Sequence, residues 1–324
     1  MADVRCFVVV LLLPVILATV SYDGYRTFRV TVADDDEFYF LKSLFETHPK
    51  YDVWKEARRH GDHVDVMVAP DDIDYFTVTL KHKKITFNTM IEDVGALLTT
   101  HKQEREARQP QIYYDFTTYH TLEEIEGYLN ELQGNYSSQV TLFDVGTSYE
   151  GRTIRGAKLL NFYGTDPEVT DLLDNIDIYY VPVVNVDGYE YTWTSDRLWR
   201  KTRSPNEGSP CVGTDPNRNW EFFWCEQGSS TLPCSDAYCG SSAFSEVEVS
   251  STATYLQSVP NLQMFLSFHA YGQWYMTPWA HYIAPPDNYD EQLDVCNRAI
   301  TALMDNNGGS VTFECGTIQS FVGK

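Results

Sequence analysis

Basic residues are scarce in this chain of 324 residues: 24 lysines and arginines stand against 46 aspartates and glutamates, giving a formal net charge of −22. A surface of that sign repels the phosphate backbone, which argues against nucleic acid as a partner. Long apolar runs are also absent after residue 21, and no later segment is apolar enough to cross a bilayer. The composition therefore predicts a protein that engages neither nucleic acid nor membrane.

The one long apolar run lies within the first 21 residues. It follows a single basic residue, Arg5, and precedes small residues at Ala18, Thr19 and Ser21. That order is typical of a cleaved secretory signal, and the run is too short for a membrane span. We therefore expect residues 1–21 to be removed and the product to be secreted and extracellular.

Cysteine is absent between residues 22 and 210. Of the seven cysteines, Cys6 would leave with the signal. The other six lie in the C-terminal part: Cys211, Cys225, Cys234, Cys239, Cys296 and Cys315. An even number in an exported chain favours disulfides over metal thiolates. The sequence leaves the connectivity open, because four clustered cysteines allow three pairings.

A charged run without apolar core positions, residues 101–110, divides the chain. We interpret residues 104–110 as a cleavable linker, in which Arg105 and Arg108 are exposed to a trypsin-like protease. The preceding residues 22–103 show strand patterns at 25–32, 64–68 and 84–88 and helix patterns at 37–45, 71–80 and 90–100. This order predicts a ferredoxin-like α+β unit.

Residues 111–324 predict an α/β domain with a mixed, mostly parallel sheet and helices on both faces. Helix starts are expected at the capping box of Thr121 and Glu124, at Asp166-Pro167 (a helix through Leu173) and at Ser245-x-x-Glu248. Strands are expected at 140–145, 153–160, 176–185 and 264–268. We read 176–185 as buried on both faces.

Five of the basic residues lie between Asp196 and Trp220: Arg197, Arg200, Lys201, Arg203 and Arg218. Guanidinium groups are planar, two-pronged donors that suit a carboxylate or a carbonyl oxygen gaining charge. The stretch predicts an anion receptor in a cystine-tied loop, and an ordinary charged loop is the alternative. His269 is expected at the carboxyl end of a strand, where it is either a ligand or catalytic group or a core histidine.

Several motifs together resemble one family. They are YHTLEEIEGYLNEL, NVDGY, RLWRKTRS, DPNRNW, CSDAYCGSSAFSEVEV and LSFHAY, which follow the signal, the ferredoxin-like unit and the basic linker. The combination is similar to the digestive zinc metallocarboxypeptidases, the pancreatic A/B-type procarboxypeptidases, from about Tyr25 to Lys324. The resemblance implies a zymogen whose prosegment (22–103) covers the cleft of an enzyme (111–324) that removes C-terminal residues from peptides and proteins.

The resemblance also assigns roles to matching residues. Arg200 would polarise the scissile carbonyl, Asn217 and Arg218 would hold the terminal carboxylate, and His269 would be a zinc ligand. Further matches are Arg197 as a subsite contact, Tyr271 beside the substrate, Asp215 near the metal ligands, and the disulfides Cys211–Cys234 and Cys225–Cys239. Zinc would activate water as a Lewis acid, commonly with three protein ligands.

The chain departs from this family where the other zinc ligands should lie. An H-x-x-E motif is expected between the strand at 153–160 and the helix near Pro167, but only AKLLNFYGTD stands there. His120 and Glu123 have that spacing but belong to the capping segment of the first helix. We expect the catalytic glutamate and the closing strand beyond Lys324. The sequence therefore predicts an internally deleted and truncated domain that is itself inactive.

Three functions remain open at this point. The chain is an incomplete form of a secreted zinc carboxypeptidase zymogen, or a non-catalytic relative that binds peptide C-termini through Arg218 and Asn217. The third is a free inhibitor of the prosegment type carried by residues 22–103. In either of the first two, apolar sheet surface and unpaired edges should be exposed.

Overall fold

The fold was derived from a computed structural model of the chain, which describes residues 19–48, 50–57, 60–107, 114–159, 170, 175–226, 228–270, 272–306 and 313–322. Most of the predicted signal segment lies outside these residues, as do Arg108, Tyr271 and most of the helix predicted to start at Asp166-Pro167. No helix in the described part of the chain is long and apolar enough to span a membrane.

The N-terminal unit is a four-stranded antiparallel sheet with helices packed against it. Its elements are β1 (Arg26–Thr31), α1 (Asp35–Thr47), β2 (Asp52–Lys55), β3 (His63–Val68), α2 (Ile73–Lys83, after a 3₁₀ turn), β4 (Phe87–Ile91) and α3 (Val94–Glu106). The strand order β2-β3-β1-β4 is that of the predicted ferredoxin-like arrangement. Alternating side chains of β1 and β3 meet Phe76 and Leu80 of α2 in one apolar core.

Two boundaries in this unit differ from the sequence prediction. The strand predicted at 84–88 is observed as β4 at Phe87–Ile91. The helix predicted from residue 90 starts only at Val94. The reason is a cap: the Asp93 side chain accepts a hydrogen bond from the Ala96 amide at 2.9 Å, which fixes the first turn of α3 there. At its other end α3 continues to Glu106, so part of the predicted linker 104–110 is helical.

The C-terminal unit has both helices and sheets, as the predicted α/β class requires. Its elements are α4 (Leu122–Asn135), β5 (Val140–Thr147), β6 (Thr153–Leu159), β7 (Ile178–Tyr180), α5 (Val186–Thr194), a 3₁₀ turn (Pro216–Arg218), α6 (Val247–Ser258), β8 (Trp274–Thr277), α7 (Tyr289–Asn306), β9 (Glu314–Thr317) and α8 (Ile318–Val322). The capping box of Thr121 and Glu124 opens α4 as predicted.

Helices lie on both faces of the β5–β6–β7 sheet. Leu129 of α4 packs with Val140 of β5, whereas Tyr255 of α6 stacks on Phe143 with ring centroids 4.6 Å apart. Residues 140 and 143 differ by an odd number of positions and point to opposite sides of the strand. The mostly parallel character is not found among the described strands: β5–β6 and β6–β7 are antiparallel, and β8–β9 is the parallel pair.

Two predicted strands are wrong in extent. Of residues 176–185 only Ile178–Tyr180 forms a strand, and Ile176 and Tyr180 are exposed rather than buried on two faces. Residues 264–268 form no strand, and their apolar side chains are exposed, with Phe268 at 86%. A strand exists only through a partner's hydrogen bonds. β7 pairs with β6 over three residues, whereas no described strand lies beside residues 264–268.

The start of α6 also needs correction. Ser245 does not cap this helix; the N-cap residue is Glu246, whose side chain makes no cap hydrogen bond. The Ser245 hydroxyl instead donates to the Glu246 carboxylate at 2.9 Å. That carboxylate is drawn away from the helix start by two further hydroxyl donors, Thr202 and Ser204, so it cannot turn back to the amides of α6.

Candidate functional site

The loop that precedes α6 is closed by two disulfides. Cys211 bonds to Cys234 and Cys225 to Cys239, the pairings that the resemblance implies, and the third bridge, Cys296–Cys315, joins α7 to β9. A disulfide restricts the unfolded chain and so favours the folded loop. The first bridge closes a loop that contains Arg218, and the second closes the chain that follows it.

A buried carboxylate organises the start of this loop. Asp215 is 1% exposed, and its Oδ1 accepts the Asn217 amide at 2.9 Å, which caps the Pro216–Arg218 turn. Its Oδ2 accepts the Arg200 guanidinium through Nε at 2.9 Å and lies 2.8 Å from Nη2. One side chain thus orients Arg200 and the turn that carries Asn217 and Arg218. The sequence prediction for Asp215, near the metal ligands, stays a prediction; among those ligands Asp215 acts electrostatically on His269.

Arg218 is held by backbone carbonyls. Its Nε donates to the Gly228 carbonyl at 2.8 Å and its Nη1 to the Asn217 carbonyl at 3.0 Å. Carbonyl acceptors carry no full charge, so the guanidinium keeps most of its positive field. The exposed Asn217 side chain lies next to it in the same turn. The pair can therefore offer charge-assisted and neutral donors to one anion.

His269 belongs to the same electrostatic site. Its ring is exposed at the surface, yet the surrounding protein lowers its pKa, first by desolvation and then through Arg200 and Arg218, against an opposing effect of Asp215. Its Nε2 lies 3.0 Å from the Ser267 hydroxyl. The imidazole is therefore kept neutral beside two guanidinium groups. His269 stands on an extended segment rather than at the end of a strand.

The remaining basic residues of the stretch do not join this site. Lys201 is buried and donates its ammonium to the Pro233 carbonyl at 2.6 Å, and burial lowers its pKa. The Arg203 guanidinium lies 3.6 Å from the Tyr191 ring centroid. Arg197 lies over Trp193 at 4.5 Å. Of the predicted anion receptor, the described structure brings together Arg200 and Arg218, with Asn217 beside them.

Asn219 is a buried residue of this loop that the sequence did not single out. Its Nδ2 donates to the Cys239 carbonyl at 2.8 Å and to the Ser242 carbonyl and Ser245 hydroxyl at 2.9 Å each, and its Oδ1 accepts the Glu246 amide at 3.0 Å. Asparagine after an arginine is common in turns, so only the fold reveals this role. Asn219 links the disulfide-closed loop to the start of α6.

The described residues do not fit a resident zinc ion. They contain no group of three histidine, cysteine, aspartate or glutamate side chains that could hold a metal. The charged groups that act on His269 are Arg200 and Arg218, which repel a cation, and Asp215, whose carboxylate is already paired with Arg200. The six cysteines outside the signal are all in disulfides and offer no thiolate.

Comparison with known proteins identifies the family. A family model described as zinc carboxypeptidase matches residues 157–321, and one described as carboxypeptidase activation peptide matches residues 28–101. The chain belongs to the zinc carboxypeptidase family. Carboxypeptidase A1 of Rattus norvegicus is 32% identical over 97% of this chain and 84% of its own length, and zinc carboxypeptidase A 1 of Anopheles gambiae is 32% identical over 89% and 73%.

Two solved structures show the same fold. Carboxypeptidase A from Helicoverpa armigera has 26% identity and a TM-score of 0.80, covering 92% of this chain and 82% of that one. Thrombin activatable fibrinolysis inhibitor has 25% identity and a TM-score of 0.79, covering 92% and 84%. The chain is therefore a pancreatic-type carboxypeptidase homologue with an activation peptide, and its predicted family and fold class are confirmed.

Proposed function

We propose that this chain is a secreted carboxypeptidase zymogen whose mature part recognises the free C-terminus of peptides, and that in its present form it binds them without hydrolysis. The observation that supports binding is the arrangement around Asp215, whose carboxylate holds the Arg200 guanidinium and caps the turn that carries Asn217 and Arg218. A planar guanidinium and an amide beside it match a carboxylate through charge-assisted hydrogen bonds.

Zinc is the cofactor that the family implies, and it would supply the Lewis acid that activates water. The sequence offers His269 alone as a ligand at the matching positions, and the described residues do not complete a site. We therefore assign to this chain the binding part of the family's task. The family resemblance assigns Arg200 to polarising the scissile carbonyl. In this chain we propose that it contacts the C-terminal end of the bound peptide.

The length of the matches supports an internally shortened domain. The alignment with the rat relative runs over 353 residues, more than the 324 of this chain, so that relative has residues within the aligned region that lack a counterpart here. We propose that the shortened part, between β6 and the position near Pro167 where the sequence predicts a helix, would carry the H-x-x-E ligands. The chain is then an incomplete form of an active enzyme. The alternative is a relative that is inactive by nature.

Secretion and activation complete the proposal. The first 21 residues support export, and three disulfides suit an oxidising compartment. A trypsin-like protease would separate residues 22–103 from residues 111–324 by cutting in the linker 104–110. The partners are therefore this protease and peptide or protein C-termini.

The test measures zinc content, peptide binding and hydrolysis on one purified, linker-cleaved sample. Peptides ending in Arg or Phe are compared as free acids and as C-terminal amides. We expect the free acids to bind at least about tenfold more tightly, the difference of one charge-assisted contact. Arg218→Ala should remove that difference, whereas Arg155→Ala, an arginine paired with Asp144 on β6, should keep it.

Each result decides one part of the proposal. Equal binding of acids and amides would overturn recognition of the C-terminus. One zinc ion per chain with chelator-sensitive hydrolysis would overturn the absence of turnover while leaving recognition intact. A longer transcript that adds an H-x-x-E block would identify the incomplete enzyme, and its absence would identify the inactive relative.

A further inference from the structure

Trp193 of α5 lies under two guanidinium groups that come from different parts of the chain. The Arg197 guanidinium carbon is 4.5 Å from the indole centroid, and the Arg105 guanidinium carbon is 4.7 Å from it. Both distances fall within the range of a cation–π contact. Arg105 belongs to the last turn of α3 in the activation peptide, and Arg197 follows α5 in the enzyme domain.

The Arg105 side chain is accordingly half-buried. The structure therefore does not show Arg105 in the exposed position that the sequence predicted, and its role as a cleavage site stays a prediction. Trypsin-like enzymes bind the arginine side chain and an extended backbone around it. Arg105 offers neither, because its backbone is helical and its guanidinium covers an indole of the other unit.

The other end of the activation peptide contacts the same few residues. The Tyr22 hydroxyl donates to Asp196 Oδ1 at 2.7 Å. The Val20 amide, which donates to the Ser195 carbonyl at 2.8 Å, belongs to the segment predicted to be removed with the signal rather than to the activation peptide. Burial raises the pKa of Tyr22, and the Asp196 carboxylate raises it further, so the phenol stays a donor. Two ends of one unit, about 80 positions apart in sequence, thus meet on residues 193–196.

A carboxylate, Glu124, lowers the repulsion between the two arginines that flank Trp193. Arg105 is among the groups that lower the pKa of Glu124, which lies in the first turn of α4. Glu124 thus partly offsets the repulsion between Arg105 and Arg197 across Trp193. Arg197 also donates from Nη1 to the Thr192 hydroxyl at 3.3 Å, so it is tied to α5 independently of Arg105.

We propose that Trp193 is the docking residue on the enzyme domain for the last turn of the activation peptide, and that Arg105 is a docking residue rather than a cleavage site. The indole holds the end of α3 beside Arg197, so α3 does not fray at Arg105 while the zymogen is intact. Cleavage then falls on linker residues that follow the helix. The surface formed by Trp193 and Asp196 accepts both ends of the activation peptide.

The first experiment measures hydrogen exchange in the full-length zymogen. Arg105→Gln removes the cation, and we expect exchange of amides 103–107 to rise about two- to fivefold, the factor that a partly exposed cation–π contact corresponds to. Lys102→Gln is the matched control, because Lys102 is an exposed cation one turn earlier in α3. Exchange in α1 should stay the same in both variants.

The second experiment follows limited trypsin digestion by mass spectrometry. Trp193→Ala should raise cleavage after Arg105 relative to cleavage after Lys102 by a similar two- to fivefold, and Trp193→Phe, which keeps an aromatic face, should restore the wild-type ratio. Unchanged exchange in Arg105→Gln overturns the proposal. So does rapid cleavage after Arg105 in the wild type that Trp193→Ala leaves unaltered. If Trp193→Ala does not fold, the exchange of Arg105→Gln decides alone.

Discussion

Asp215 Oδ2 lies 2.9 Å from Nε and 2.8 Å from Nη2 of Arg200, and the same carboxylate caps the Asn217 turn through Oδ1. The carboxylate is buried, whereas the arginine side chain is 44% exposed. The Asp215 carboxylate is therefore removed from water, and its hydrogen bonds hold the Arg200 guanidinium at the surface. This geometry connects the two halves of the proposed carboxylate-binding site through a single side chain.

Asp215→Asn should separate these two roles. The amide oxygen can still accept the Asn217 amide, but the charge that holds Arg200 is lost. We expect a loss of about 1–2 kcal/mol in unfolding free energy and weaker binding of peptides with a free C-terminus. Chemical denaturation and peptide titration measure the two effects. Asp144→Asn, at an exposed pair with Arg155, is the control and should cost less than about 0.5 kcal/mol. Equal losses in both variants would contradict the assignment.

Asp52→Asn should stabilise the zymogen near neutral pH. Burial raises the pKa of Asp52, Asp236 and Asp196 raise it further, and a hydrogen bond from Trp54 opposes the shift. Because the folded-state pKa lies above the unfolded value, stability is lost as pH rises from the unfolded pKa through the folded one. The variant has no such loss, and its amide can still accept from Trp54. Urea unfolding at pH 3 and pH 7 tests this. The gain should appear at pH 7 and vanish at pH 3, where both side chains are neutral, and a gain of equal size at both values would refute it.

The disulfides should differ in what they support. Replacing Cys211 and Cys234 by serine should cost about 2–4 kcal/mol and also weaken peptide binding, because the Gly228 carbonyl that holds Arg218 lies inside that loop. Replacing Cys296 and Cys315 should cost a similar amount but leave peptide affinity unchanged, because that bridge joins α7 to β9. Thermal unfolding and peptide titration of the two double variants provide the comparison. Parallel losses of affinity would show that stability alone explains the effect.

The exposed apolar residues Leu262, Met264, Phe265, Leu266 and Phe268 should promote self-association. Phe268→Ser should change the unfolding free energy by less than about 0.5 kcal/mol, because the ring has little contact to lose. The same change should reduce association measured by analytical ultracentrifugation. Phe76→Ser, in the core of the activation peptide, is the contrasting variant and should unfold that unit. If Phe268→Ser proves as destabilising as a core substitution, the segment is packed in solution.

Local patterns predicted local features well. The alternation in residues 25–32 and 64–68 predicted two paired strands, and the box of Thr121 and Glu124 predicted a helix start, because both signals depend only on neighbouring residues. The family motifs named Arg200, Asn217 and Arg218 as residues that contact the substrate's C-terminal end, a role that stays a prediction. Their hydrogen bonds were not predicted, since Arg200 and Asp215 are 15 positions apart and meet only in the fold.

Features that depend on distant partners were missed. Residues 264–268 have a strand's composition but no described neighbour to pair with, so composition alone gave the wrong answer. Arg105 was predicted to be exposed because its sequence neighbours are charged, and a tryptophan 88 positions later covers it. The sequence could have predicted the contact between Trp193 and Arg197, which are four positions apart, but not the contact with Arg105.

Asn219 sets a limit on how this protein can vary. Its amide donates to three oxygens and accepts one backbone amide in a space that admits no larger group, since a Cβ on neighbouring Gly240 would stand 2.5 Å from Asn219 Nδ2. Aspartate has the shape but no donor, and leucine has neither donor nor acceptor. In a survey of all substitutions, position 219 should therefore tolerate as few residue types as the arginines proposed to contact substrate. A reader of such tolerance data alone would mistake this residue of the scaffold for part of the binding surface.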